Sequence, residues 1–187
     1  MKKSAYLPAA LVGIAAVAAL GTASASDWKV DRDNSMVSFV GMQQGSKFTG
    51  RFEDFEAMID LDPKMVEHGS IVGTVKTESV NSRDHDRDAQ LLDADWFDAK
   101  NYPEARFESE SITRQADGSY VADGRLTLKG ATKPAKMTFS FDTSGSKAKF
   151  SGAMKVDRFD FNVGEGWNDT SWVGQDVDVS IELELMR

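Results

Sequence analysis

The chain has 187 residues, a formal net charge of -8 and no cysteine. Without thiols there are no disulfides, thiolate zinc sites, iron–sulfur clusters or cysteine nucleophiles. The acidic balance argues against nucleic acid as a partner and against anionic bilayers held by charge alone.

In chain order, residues 1–25 are predicted to be a secretory signal peptide. Lys2 and Lys3 form a basic start, Leu7 to Leu20 an apolar stretch, and Ala23 and Ala25 a small-residue cleavage site. The apolar stretch is short of the roughly 20 residues that a membrane span needs, and Pro8 breaks its start. Cleavage after Ala25 makes Ser26 the first mature residue. It leaves about 160 residues with a net charge of about -10, the size of one soluble domain, exported to the periplasm.

The mature chain alternates apolar and polar residues with period two, so it reads as strands. Val37, Phe39 and Gly41 share a face. Phe48, Gly50 and Phe52 do the same, and Phe55, Ala57 and Ile59 continue after a one-residue slip of phase that predicts a β-bulge. Ile71, Gly73, Val75 and Thr77 form the next run. From Arg83 to Asp98 the alternation stops, and Ala89, Leu92 and Trp96 recur at helical spacing. One or two short helices are predicted there, ended by Asn101-Tyr102-Pro103. Strands resume with Tyr120 to Leu128, Met137 to Phe141, Phe150 to Val156, and Val177 to Leu185. Asp117-Gly118, Lys129-Gly130 followed by Pro134, and Ser144-Gly145 mark the turns.

Strands of this kind build either a sandwich or a closed barrel. The inward set mixes Phe39, Phe52, Phe139, Phe150 and Met154 with Gly41, Gly50, Gly73, Gly124 and Gly152. Glycine weakens a strand interior unless curvature or close approach requires it. A hollow barrel of about eight strands, the size that holds one small ligand, accommodates this pattern, and a packed sandwich is the alternative.

Motifs for chemistry are sparse. His68 and His85 stand apart from other metal ligands. Asp84, Asp86 and Asp88 begin a run with the spacing of a calcium loop. However, Ala89 occupies the glycine position, and Arg83 and Arg87 supply counter-charges, so helix capping is expected and no calcium or zinc site. Asn168-Asp169-Thr170 matches a glycosylation sequon, which carries little weight beside a signal peptide of bacterial type. Trp167 and Trp172 flank it in a loop containing Gly164, Gly166 and Gly174, where they line a barrel mouth or plug its core.

Several stretches together resemble the YceI-like family of lipocalin-like, polyisoprenoid-binding periplasmic proteins. They are Trp28-Lys29-Val30-Asp31 with Ser35 to Phe39, Phe48 to Phe52 with Phe55, and Arg87-Asp88 to Leu91 with Asp95-Trp96-Phe97-Asp98 and Tyr102-Pro103. Leu126 to Gly130 with Thr132-Lys133-Pro134, Asp157-Arg158 with Asp160-Phe161, and Val173-Gly174 to Leu183 complete the order. The resemblance implies an all-β fold, an extended eight-stranded antiparallel barrel with a short helical insertion, spanning residues 26–187. It further implies a non-enzymatic carrier of an isoprenoid quinone or polyprenyl lipid, with no other cofactor. A membrane b-type cytochrome is an implied partner, and the chain is expected to be a monomer or homodimer. Gln43 and Gln90 stand where many relatives carry histidine, which bears on the preferred headgroup.

Parity places Phe39, Phe52, Phe139, Phe150, Met154 and Phe161 inside. Trp96, Phe97, Trp167 and Trp172 are expected at the mouths, with Gln43 and Arg51 as polar contacts. Burying about 16 methylenes yields about 13 kcal/mol gross at ~0.8 kcal/mol each, against about 4–15 kcal/mol for association. The alternatives are a stress-related interaction protein with a packed barrel, a binder of fatty acids or amides, and an enzyme acting in the pocket. An interior void of several hundred Å³ would favour a ligand over a packed barrel.

Overall fold

The computed structural model describes residues 27–187, so the predicted signal segment and the cleavage point before Ser26 lie outside the described residues. The described chain forms ten strands: β1 (Asp27–Gln43), β2 (Ser46–Phe52), β3 (Phe55–Asp60), β4 (Ser70–Lys76), β5 (Val80–Asn81), β6 (Glu104–Arg114), β7 (Tyr120–Leu128), β8 (Ala131–Ser144), β9 (Lys147–Asp157) and β10 (Asp176–Met186). The sole α-helix among the described residues is α1 (His85–Leu92).

All pairings are antiparallel, and β10 closes back onto β1 with Val37 opposite Ile181 and Phe39 opposite Val179. The first half of β1 pairs with β3 and the second half with β2, so β2 and β3 are two halves of one barrel strand. They break at residues 53–54, where the phase slip falls. In the same way β4 pairs with β3 and β5 with β2, on either side of a short 3-10 turn at Thr77–Ser79. Counted this way the wall is a closed antiparallel barrel of eight strands, as the sequence pattern implied.

Turns set the register. Lys129 and Gly130 both take positive φ (47° and 74°) between the paired Leu128 and Ala131, the left-handed pair that a two-residue hairpin requires. Pro134, expected in the turn, lies inside β8 opposite Arg125. The turn needs only two residues, so the strand has already begun there.

The helix differs in its face. Leu91 is buried and Arg87 and Asp88 are half-buried, whereas Ala89 is exposed. A period drawn through Trp96 misplaces the face because the helix has ended by then. Phe97 N–H reaches back to Leu91 O (3.0 Å), and this turn carries Trp96 and Phe97 into the barrel mouth. Asp84 caps the helix: its carboxylate accepts from the backbone N–H of Arg87 (3.1 Å) and from the Arg87 guanidinium (2.8 Å).

Buried side chains gather in two clusters. The lower includes Trp28, Ile112, Tyr120, Phe139, Phe141 and Phe150. The upper includes Phe39, Leu91, Trp96, Phe97, Phe161 and Val163.

Candidate functional site

An apolar cavity of about 200 Å³ lies inside the barrel and is walled by both clusters. Its lower wall includes Ile59, Ile71, Met137, Phe150 and Leu183, and its upper wall Phe39, Leu91, Trp96, Phe97 and Val163. The volume is smaller than the several hundred Å³ expected. Three aromatic rings account for part of the difference: a Cβ on Gly41 would meet the Phe48 ring at 2.8 Å, one on Gly50 the Phe39 ring at 2.3 Å, and one on Gly152 the Phe150 ring at 2.8 Å. Those glycines therefore hold neighbouring rings and do not open space for a guest. Gly124 is also not vacant, since a Cβ there would lie 2.3 Å from the backbone oxygen of Glu108, next to the register shift in β6. Only Gly73 of the inward glycines faces open space, with no heavy atom within 4 Å of a built Cβ. Ala57 pairs with Gly73, and Ala105 with Val75, so small side chains give one wall of the cavity its width.

Six of the twelve residues expected at the ligand line this cavity: Phe39, Phe52, Trp96, Phe97, Phe150 and Met154. Phe52 bridges strand and loop, with its ring 5.5 Å from Phe39 and 6.0 Å from Phe97. The other six sit elsewhere. Phe139 is 2% exposed but stacks between Tyr120 (5.3 Å) and Phe150 (4.8 Å), behind the wall that Phe150 forms. Phe161 lies on a 3-10 turn (Arg158–Phe161) and borders an outer cleft beside β8 and β9. Trp167 is 41% exposed and covers Trp96 from outside at 6.2 Å. Trp172 is 52% exposed, and its carbonyl accepts from Gln44 N–H (2.7 Å). Gln43 ends β1 at the hairpin and bridges Val173 through its backbone. Arg51, the other guessed polar contact, points outward to Glu53 (2.7 Å), as its odd parity between Gly50 and Phe52 requires.

Sequence reasoning missed Arg158 as a site residue. It is 3% exposed and lines the cavity's upper end. Its Nε donates to Gly174 O (3.0 Å), one terminal nitrogen to Val163 O (2.9 Å) and Gly164 O (3.2 Å), and the other to Val173 O (3.2 Å) and Trp167 O. All five N–H donors of the guanidinium are thus taken by backbone carbonyls of one loop. Burial lowers the Arg158 pKa below its ordinary value, and the charge of neighbouring Asp157 opposes that shift. Gly164 takes a positive φ (71°), and a Cβ there would lie 2.8 Å from the Arg158 guanidinium, so the backbone and the contact each favour glycine. The signal available in sequence was an arginine preceding a Gly-rich loop, and such a pattern does not distinguish a loop brace from a surface charge.

Among the described residues no three His, Cys, Asp or Glu side chains gather as metal ligands. Asp84, Asp86 and Asp88 diverge: Asp84 caps α1, Asp86 faces solvent, and Asp88 accepts from Ser82 N–H (2.8 Å). What the arrangement offers chemically is an apolar cavity whose upper end is braced by the buried guanidinium of Arg158.

Comparison with known proteins agrees with this geometry. The YceI-like domain family matches residues 28–185. Protein YceI of Escherichia coli O157:H7 is 32% identical over 173 residues, covering 88% of each chain. The crystal structure of Burkholderia cenocepacia BcnA aligns at a TM-score of 0.80 with 33% identity, over 83% of this chain and 99% of that one. A polyisoprenoid binding domain from Saccharophagus degradans, implicated in plant cell wall breakdown, shares the fold at a TM-score of 0.65 and 15% identity, over 86% of this chain and 97% of that one.

Proposed function

The chain belongs to the YceI-like family, and from that premise we propose that it is a periplasmic carrier that encloses one isoprenoid-type lipid, such as a quinone, inside its barrel. The observation that carries this reading is the continuous apolar cavity running through both clusters, with Ala57, Gly73 and Ala105 leaving room along one wall. The polyisoprenoid binding of the Saccharophagus domain supports the class of ligand, and the basic and apolar N-terminal residues support export. A slim branched chain suits a narrow cavity lined by Phe and Met, which offer flat area and adaptable shape. Fatty acids fit less well, because Arg158, the one buried cation among the described residues, has spent its donors on the loop and presents none to a carboxylate.

The cavity's modest volume favours a second reading, a packed barrel whose surface binds a partner. Gly73→Phe separates the two. The new ring extends into the cavity from a site with no heavy atom within 4 Å of its Cβ. By titration calorimetry the parent should bind farnesol once per chain, and Gly73→Phe should weaken that binding tenfold or more while its circular dichroism stays that of the parent. Absent binding in the parent, or equal binding in both, returns the barrel to the packed reading.

A further inference from the structure

The barrel wall is parted between the first part of β8 and the last part of β9. β8 and β9 pair from Thr138–Ala153 to Ser144–Lys147, although β8 begins at Ala131 and β9 continues to Asp157. Residues 131–137 pair with β7, and residues 154–157 with β10. Between these two segments no rung forms among the described residues.

Pro134 and the pair Lys136 and Lys155 account for the parting. Rungs counted from the two-residue turn put Pro134 at a non-hydrogen-bonded position toward β7. Its nitrogen then faces β9, where it has no hydrogen to donate. A continued register would also set Lys136 opposite Lys155, and like charges directly opposed destabilise a sheet. Each lysine turns away to its other neighbour, Lys136 to Asp123 on β7 (3.0 Å) and Lys155 to Asp178 on β10 (2.7 Å).

A cleft lies over this seam, and Leu126, Met154, Val156 and Val179 line both the cleft and the interior cavity. One layer of side chains separates them, and Met154 is its most adaptable member. The barrel ends are better sealed. Trp28 and Phe141 meet edge-on at 5.6 Å below, and Trp167 covers Trp96 above a loop held by Arg158. We infer that the polar end of the bound lipid rests in this seam cleft, with its chain passing over Met154 into the cavity, and that this polar end is uncharged. The inference rests on the carrier reading of the barrel.

Charge at the rim decides the class. Lys136 and Lys155 stand against Asp157, Asp160 and Asp178, leaving one net negative charge, and both lysines are engaged in ion pairs. Such a rim accepts an alcohol or a quinone ring and repels a phosphate or carboxylate.

The test uses the exported, mature chain with a farnesol analogue that carries a diazirine beside its hydroxyl. After photolysis, peptide mapping should find adducts within residues 134–138 and 153–157. Farnesyl diphosphate, with the same tail, should compete at least tenfold more weakly than farnesol. Asp160→Lys, which makes the rim net positive, should narrow that ratio several-fold. Adducts on Gln43 or on residues 167–173 would place the polar end at the barrel mouth and overturn the inference, leaving the carrier reading intact. Equal or tighter binding of farnesyl diphosphate would overturn the uncharged class. Failure of any farnesol to bind would overturn both readings together.

Discussion

At the scale of single residues, Arg158 governs the upper end of the molecule. It is a loop brace, with one guanidinium holding the carbonyls of residues 163, 164, 167, 173 and 174. Arg158→Met keeps most of the apolar stem and removes every donor. Each buried carbonyl left without a partner costs about 1–3 kcal/mol, so the variant should lose at least about 3 kcal/mol in urea unfolding. Loss of less than about 1 kcal/mol would mean that water replaces the guanidinium. Asp84 acts more locally. Chiefly the Arg87 backbone N–H, and also its guanidinium, hold the Asp84 carboxyl below the usual aspartate range. Its folded pKa is depressed, so its capping contribution is complete above the unfolded pKa and is lost as pH falls through the folded one. The protection factor of the Arg87 amide, its slowing relative to the unfolded chain at the same pH, should therefore fall only in acid, and in Asp84→Ala it should be low at neutral pH as well. Helix capping by the Asp84 to Asp88 run was legible in the sequence. The role of Arg158 was not, because it acts through backbone carbonyls of a loop whose path is set only by the fold.

At the scale of elements, period-two alternation located the strands because each has one face toward the interior and one toward water. The slip between Phe52 and Phe55 located the break between β2 and β3 for the same reason. The inward glycines were legible as a set but not in their uses. Gly41 and Gly50 sit under cross-strand rings, Gly124 under a neighbouring backbone, and Gly73 at the cavity. Those differences depend on partners across the sheet, which periodicity within one strand does not contain. They predict opposite outcomes for the same substitution. Gly124→Ala pushes a methyl into the Glu108 carbonyl and should cost about 1–3 kcal/mol. Gly73→Ala meets nothing and should unfold at the parent's temperature or slightly above it, since it also restricts the unfolded chain. A reversed order of melting temperatures would show that β7 and β6 relax apart at no cost. The helix was found but misfaced, because Trp96 belongs to the turn after α1 and was counted as part of it.

At the scale of the whole molecule, eight strands close without a disulfide, and two packed clusters leave a slim apolar space between them. Composition and patterning pointed to this architecture, and the resemblance to YceI-like proteins named it. Neither sized the space, since volume is what remains after Phe39, Phe48 and Phe150 choose their rotamers over the glycines. Neither showed the parted seam between β8 and β9, which follows from Pro134 and two lysines on separate strands. The account's central claim is that this barrel carries a lipid. Native mass spectrometry of the protein, released from its host's periplasm by osmotic shock without detergent, tests it most directly. The account predicts a chain beginning at Ser26 with one isoprenoid-sized adduct, and no adduct on Gly73→Phe prepared the same way. A bare parent chain, or an adduct retained equally by Gly73→Phe, would contradict it.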